Sequence, residues 1–421
     1  MTFGRRARLV LLLGAVAAAA GGWYGYRHWR NDPDRVFARG RAALAAGDAD
    51  AAFAAAARLR AAGREQQALV LSGEAWLRIA VAGGGRTPPD EAYRRAMRAF
   101  GEVRDDGPVG ADAAALAGEC LARLGEHRVA ANVLNATLKR FPDHRDAHRW
   151  LAAVFIDLNS PRDAVEHLRE WGRLAPDDGR PFRWIGLFEK DYRHTDKAVA
   201  AYEEALRRSL DPGMRADVSR ELAEALRDGE ADYRGMLRVL DGCPEPYAAR
   251  PEMLTLRAEA EWGLGDGEAA AELLDRVFRD APGYAPALRL RGQMYLAVDE
   301  PAKARPLLEE SLRADPFDLG GRQLAVEACH QLGDEAAAAG HRKAMEEVRE
   351  QRKRLSLLYV TARDRPWDPL VRVEIAELCL AINRRQEAEQ MARAALACDP
   401  ANAEARRLLD RIRSAGPPAG R

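Results

Sequence analysis

"AGECLARLGEHRVAANVLNATLKRFP", Ala117 to Pro142, is the stretch that decides the fold. It returns in the same rhythm as "LAAVFIDLNSPRDAVEHLREWGRLAP" from Leu151 to Pro176. Two further copies are "RGQMYLAVDEPAKARPLLEESLRADP", Arg291 to Pro316, and "IAELCLAINRRQEAEQMARAALACDP", Ile375 to Pro400. The closing prolines keep time: Pro142 and Pro176, Pro282 and Pro316, and Pro366 and Pro400 are each 34 residues apart. A fixed period of this length marks a stack of supersecondary units, not two or three globular domains. Inside each unit a tight turn, such as Leu124-Gly125-Glu126 or Leu332-Gly333-Asp334, separates two helical stretches. Proline stops the second stretch, because it lacks an N–H and disfavours helical geometry just before it.

Composition agrees with an all-helical chain. The 421 residues are alanine-rich and only 7% aromatic. Alanine has the best helix propensity, and strand-forming residues are scarce, so a large sheet is excluded. Lys+Arg and Asp+Glu number 65 each, giving zero formal net charge. That removes the basic excess on which simple nucleic-acid binding rests. Five cysteines, Cys120, Cys243, Cys329, Cys379 and Cys398, form no CxxC pair. They fit neither a disulfide framework nor a zinc spacing, and read as small buried hydrophobes.

The N-terminal 30 residues differ from the rest. Arg5, Arg6 and Arg8 precede an uncharged run from Leu9 to Tyr26, with Trp23, Tyr24, Tyr26 and Trp29 at its far end. About 17–25 apolar residues cross a bilayer, and aromatic rings favour the headgroup level. Residues 1–30 therefore read as a single-pass membrane anchor. Ala18-Ala19-Ala20 leaves a cleaved signal peptide open as the alternative. Either reading carries the bulk of the chain out of the cytoplasm, so an extracytoplasmic (periplasmic) location is expected.

The 34-residue pattern resembles the tetratricopeptide repeat family. That family has small residues at positions 8, 20 and 27, a bulky one at 24 and proline at 32. Gly118, Ala130, Leu134, Thr137 and Pro142 fill these positions in the third repeat; Gly292, Ala304, Leu308, Ser311 and Pro316 fill them in the eighth. The fourth repeat departs with Trp171 at position 27, where packing has to adjust. The resemblance implies an all-α, right-handed α-solenoid of nine to ten hairpins over residues 31–413, beside the N-terminal transmembrane helix. The second unit carries an insertion, Ala82 to Pro89, between its helices. The ninth has an extended helix near 335–360, where Glu350 and Arg354 are spaced for an attractive pair. Residues 402–413 read as a capping helix and 414–421 as a disordered tail.

The resemblance also implies that first-helix positions 2, 5, 6, 9, 12 and 13 line a concave groove. Those positions hold Arg149, Trp150, Arg183, Trp184 and Arg220 in the middle units, and Glu259 and Trp262 further on. Arginine and tryptophan are frequent binding anchors, so these seven are the candidate peptide groove. The clamp by which chaperone-binding relatives hold a terminal carboxylate is missing, since Glu119, Ala153 and Leu187 occupy position 9. No HExxH, P-loop, GxSxG or strand-borne GxGxxG occurs. His144 and His148 are four apart, but one lies in a turn and the other at a packing position. No catalytic residue, metal or cofactor is therefore assigned. The expected function is a membrane-anchored scaffold for protein–protein contact, with partner proteins or peptides in the groove and residues 9–26 in the bilayer. A cell-envelope assembly factor, or less readily a subunit of an enzyme complex, is the alternative.

Overall fold

The computed structural model describes residues 32–83, 87–365 and 367–414. The expected anchor and the end of the tail lie outside these residues. Among the described residues no helix is long and apolar enough to cross a membrane. The chain divides into two compact units, residues 1–150 and 151–421.

The first unit contains three hairpins. They pair α1 (Pro33–Ala45) with α2 (Ala49–Ala61), α3 (Glu65–Ala82) with α4 (Pro89–Gly101), and α5 (Pro108–Arg123) with α6 (His127–Arg140). The next helix, α7 (Arg145–Asp157), is shared between the units. The second unit continues with α8 (Pro161–Leu174), α9 (Arg180–Asp191), α10 (Thr195–Arg207), α11 (Pro212–Asp228) and α12 (Tyr233–Asp241). Then come α13 (Pro251–Gly263), α14 (Gly267–Asp280), α15 (Ala285–Ala297), α16 (Pro301–Ala314) and α17 (Leu319–Gln331). The chain closes with α18 (Glu335–Asp364), α19 (Pro369–Ala381), α20 (Arg385–Cys398) and α21 (Ala403–Ser414). Each unit is an all-α stack of helical repeats.

Turn chemistry explains where the hairpins bend. Gly47, Gly265 and Gly333 take φ of 83°, 95° and 73°, a left-handed conformation that glycine adopts without a Cβ penalty. The aspartate that follows each, Asp48, Asp266 or Asp334, accepts the N–H three residues on and caps the second helix. Asn159, Arg193, Asp299 and Asn383 occupy the same turn position at φ of 50–59°.

The small positions carry the close approach between paired helices. A Cβ on Gly118 would sit 2.5 Å from the Leu134 side chain, and one on Gly292 would sit 2.8 Å from that of Leu308. Leu134, Leu168, Leu274 and Leu308 are fully buried. Truncating one such leucine to alanine costs about 2–5 kcal/mol. Trp171 is accommodated by its neighbour. Gly172 lies so close to the Phe182 ring that a Cβ would approach it to 2.7 Å, and Trp171 packs with Leu168, Ile185 and Phe188.

Two features of the second unit depend on distant residues. The 30-residue α18 is held by its neighbours, not by its own charges alone. Arg354 ignores Glu350 and reaches Glu374 of α19 at 2.6 Å. The last hairpin also meets the unit's beginning. Arg372, 1% exposed, donates from Nη2 to the Leu158 carbonyl at 2.7 Å, and Asn159 Nδ2 approaches Met391 Sδ at 3.7 Å. The second unit therefore comes back on itself after about six hairpins. At its C-terminal end α21 buries Ala405, Leu408, Leu409 and Ile412.

Candidate functional site

Arg149 and Trp150 fall in the first unit, the other five candidate residues in the second. In the first unit the Trp150 ring is 7% exposed and carries two guanidinium groups. Arg123 Cζ is 5.0 Å from its centroid and Arg149 Cζ is 5.1 Å away. The indole N–H hydrogen-bonds to Glu119, whose carboxylate also stands 3.8 Å from Arg123. Burial pushes the Glu119 carboxyl up to about 6, against the pull of Arg123 and Arg149. Sequence reading placed Glu119 at a groove position and passed over Arg123, which sits at position 13 of the same helix. The 34-residue register carries the signal for it.

In the second unit Arg183, Lys190 and Arg227 link one repeat to the next. Arg183 makes two hydrogen bonds to Glu221, at 2.8 and 3.1 Å, and lies 3.4 Å from Asp217. Burial pulls the Arg183 guanidinium down, but the bond and charge of Glu221 outweigh it and leave it raised. Arg220 and Lys190 both hold Glu224, at 2.5 and 2.7 Å. Burial would raise Glu224, and these two cations bring it below the usual carboxylate value. Arg227 continues to Glu259 at 3.4 Å. Cations and carboxylates thus form a ladder running from α9 through α11 to α13. The Trp184 ring is tilted against Phe188 with centroids 6.0 Å apart, and Trp262 packs against the buried cluster around Leu254 and Leu274.

Successive first helices of this unit converge on one pocket. Glu224 and Arg227 of α11, Glu252, Thr255 and Glu259 of α13, and Arg289 and Gln293 of α15 line it together with Tyr284. Glu259 is the one candidate residue in it. Gln293 stands 34 residues after Glu259 and Arg289 the same distance after Thr255, so the period could have located them. The Thr255 hydroxyl is turned back to the Pro251 carbonyl at 2.7 Å.

The histidine pair has structural partners. His144 Nδ1 accepts the Ala147 N–H at 3.1 Å, and Nε2 lies 3.2 Å from Asp112. His144 thereby caps α7, and its hydrogen bond to Asp112 lowers that carboxyl. His148 Nε2 bonds the Pro142 carbonyl at 2.8 Å. Four cysteines are buried and Cys398 is half-buried. Burial pushes the Cys120 and Cys379 thiols up to about 12, far from a reactive thiolate.

This geometry defines a helical-repeat protein in whose second unit α11, α13 and α15 share one pocket. Residues 121–179 and 255–318 match the tetratricopeptide repeat model, so those stretches carry such repeats. No curated protein matches the chain. Among solved structures, the chain is similar to YrrB, described as a TPR protein with an unusual peptide-binding site. Identity is 15%, covering 48% of this chain and 98% of that one, with a TM-score of 0.40. Pseudomonas aeruginosa PilF shares 19% identity over 52% of this chain and 97% of its own, TM-score 0.40. MamA shares 17% over 38% of this chain and 92% of its own, TM-score 0.34.

Proposed function

We propose that the chain is a scaffold for protein–protein contact, with no reaction of its own, that receives partner segments on its first-helix face. The convergence of α11, α13 and α15 on one polar pocket is the observation that carries this reading. An extended segment laid across such a face meets side chains from several repeats at once, and its main chain can pair with amides such as Gln293. The inter-repeat ion pairs keep that face preorganised, which lowers the ordering cost of binding.

We further propose that residues 9–26 hold the scaffold in a bilayer, with the repeats on the extracytoplasmic side. The uncharged run with its terminal aromatic cluster supports this. Two measurements test the proposal. Pull-downs from solubilised membranes are compared between wild type and Arg149→Glu/Arg289→Glu, and reduced partner recovery at an unchanged melting temperature is expected. Equal recovery counts against the first-helix face. Mass spectrometry of the mature N-terminus is expected to find the encoded start, whereas a chain beginning at Gly21 replaces the anchor with a signal peptide.

A further inference from the structure

We propose that the pocket between α11, α13 and α15 receives the cationic head of a lysine or arginine side chain carried by a partner segment. The inference rests on the scaffold reading and gives it a partner chemistry. The pocket has a volume of about 150 Å³, the size that admits one ring or one side-chain head. Three carboxylates and two guanidinium groups belong to its lining. The cations are already answered from outside the pocket. Arg227 is held by Asp228 at 2.8 Å and Arg289 by Asp318 at 3.1 Å. Glu224 is answered too, by Arg220 at 2.5 Å and Lys190 at 2.7 Å. Glu252 and Glu259 are not completed in this way. Glu252 lies 3.9 Å from Arg250, beyond hydrogen-bond distance, and Glu259 has a 3.4 Å contact with a nitrogen of Arg227. The charge left over in the pocket is therefore negative.

A buried acceptor in the same wall independently calls for a donor. Thr255 lies between the two glutamates on α13, one turn from each, on the face that residues three and four apart share. It is 6% exposed and gives its hydroxyl proton to the Pro251 carbonyl at 2.7 Å. Its oxygen then receives no N–H or O–H among the described residues, whereas buried polar atoms are normally matched. An ammonium or guanidinium group brings positive charge and several N–H donors together, which suits Glu252, Thr255 and Glu259; a carboxylate brings neither. On the opposite wall Asp318 engages one nitrogen of Arg289, so Arg289 and Gln293 keep N–H donors for the main-chain carbonyls of the segment. Glu259, Gln293 and exposed Glu327 stand 34 residues apart on three successive first helices, so the row of acceptors continues beyond the pocket along the segment's path.

The test uses the purified full chain and octapeptide pools, labelled at the N-terminus with tetramethylrhodamine and amidated at the C-terminus, with a fixed central Lys, Arg, Glu or Ser. The chain has zero formal net charge, so long-range attraction favours none of the pools. Retention of the Lys and Arg pools is expected, with about tenfold weaker binding in Glu252→Gln and in Glu259→Gln, the scale of one charge-assisted hydrogen bond. Unchanged binding is expected in Glu272→Gln, which removes an exposed carboxylate of the second helix α14. Melting temperatures verify each fold, and Glu252, in the first turn of α13, supplies the variant least able to disturb it. Lys- and Arg-pool binding that both pocket variants leave unchanged overturns the site, and so does an equal loss in Glu272→Gln. Retention of the Glu or Ser pool instead overturns the cation chemistry while leaving the scaffold reading standing. Retention of no pool removes both this site and the peptide-binding part of the scaffold reading.

Discussion

Arg372 Nη2 lies 2.7 Å from the carbonyl oxygen of Leu158, a residue 214 positions earlier in the chain. Leu158 follows the last turn of α7, where helix carbonyls lack partners and negative partial charge accumulates. A guanidinium there serves as a cap delivered from the far end of the unit. Burial lowers the Arg372 pKa, and its Nε has no partner among the described residues. Arg372→Ala leaves the Leu158 carbonyl without its donor, and is expected to destabilise the second unit by about 3 kcal/mol. Arg372→Met, which keeps the apolar packing, is expected to lose less. Urea unfolding of the second unit measures both. A loss under about 0.5 kcal/mol for the alanine variant would mean the contact is incidental.

Arg193 holds a left-handed φ of 59° at the turn where other repeats use glycine. A side chain in that conformation costs about 1 kcal/mol relative to glycine. Arg193→Gly is thus expected to raise the melting temperature of the second unit by a few degrees, less the extra chain entropy that glycine brings. A lower melting temperature would show that the arginine side chain makes up for the strain.

Tyr202 is fully buried, and its hydroxyl has no hydrogen-bond partner among the described residues. A buried unpaired hydroxyl costs about 1–3 kcal/mol, so Tyr202→Phe is expected to stabilise the second unit by about 1 kcal/mol. Gly186→Ala places a Cβ 2.6 Å from the same ring and is expected to destabilise by about 1–3 kcal/mol. Calorimetry on the two variants checks the opposite signs; a loss of stability in Tyr202→Phe would mean an ordered water bonds the hydroxyl.

Glu119 makes the stability of the first unit depend on pH. Its folded pKa of about 6 stands above its ordinary 4.5, so its contribution is complete below pH 4.5 and is lost as pH rises through 6. The size of that loss is about 2 kcal/mol. Asp112, lowered by its hydrogen bond to His144, works in the opposite sense at lower pH, and half-buried Glu74, raised by desolvation, adds to the same trend as Glu119. The difference between wild type and Glu119→Gln isolates the residue: the variant's melting temperature is expected to fall less between pH 4.5 and 7. Parallel profiles would remove the assignment.

The repeat was legible because small residues at fixed spacing leave one way to pair the helices. Gly118 against Leu134 and Gly292 against Leu308 are local relationships within one hairpin. Of the seven residues named from the repeat register, Glu259 lines the pocket shared by α11, α13 and α15. What each charge does was not legible. Arg183 looks free in sequence because Glu221 is 38 residues away, and Arg372 looks like a surface residue because Leu158 is in another repeat. Glu350 and Arg354 are spaced for pairing along one helix, yet Glu374 of the next helix captures the arginine. Partner choice among charges is fixed by stacking between repeats, which a periodic pattern locates only approximately.

Site-specific photo-crosslinking in the native host tests the central claim most directly. A benzophenone side chain at Gln293 or Glu259, on the pocket-lining helices, is compared with one at Glu272 or Arg276, exposed on the second helix α14. Protein adducts from Gln293 and Glu259, and none from Glu272 or Arg276, are predicted. Adducts confined to Glu272 and Arg276 would contradict the claim that partners bind the first-helix face.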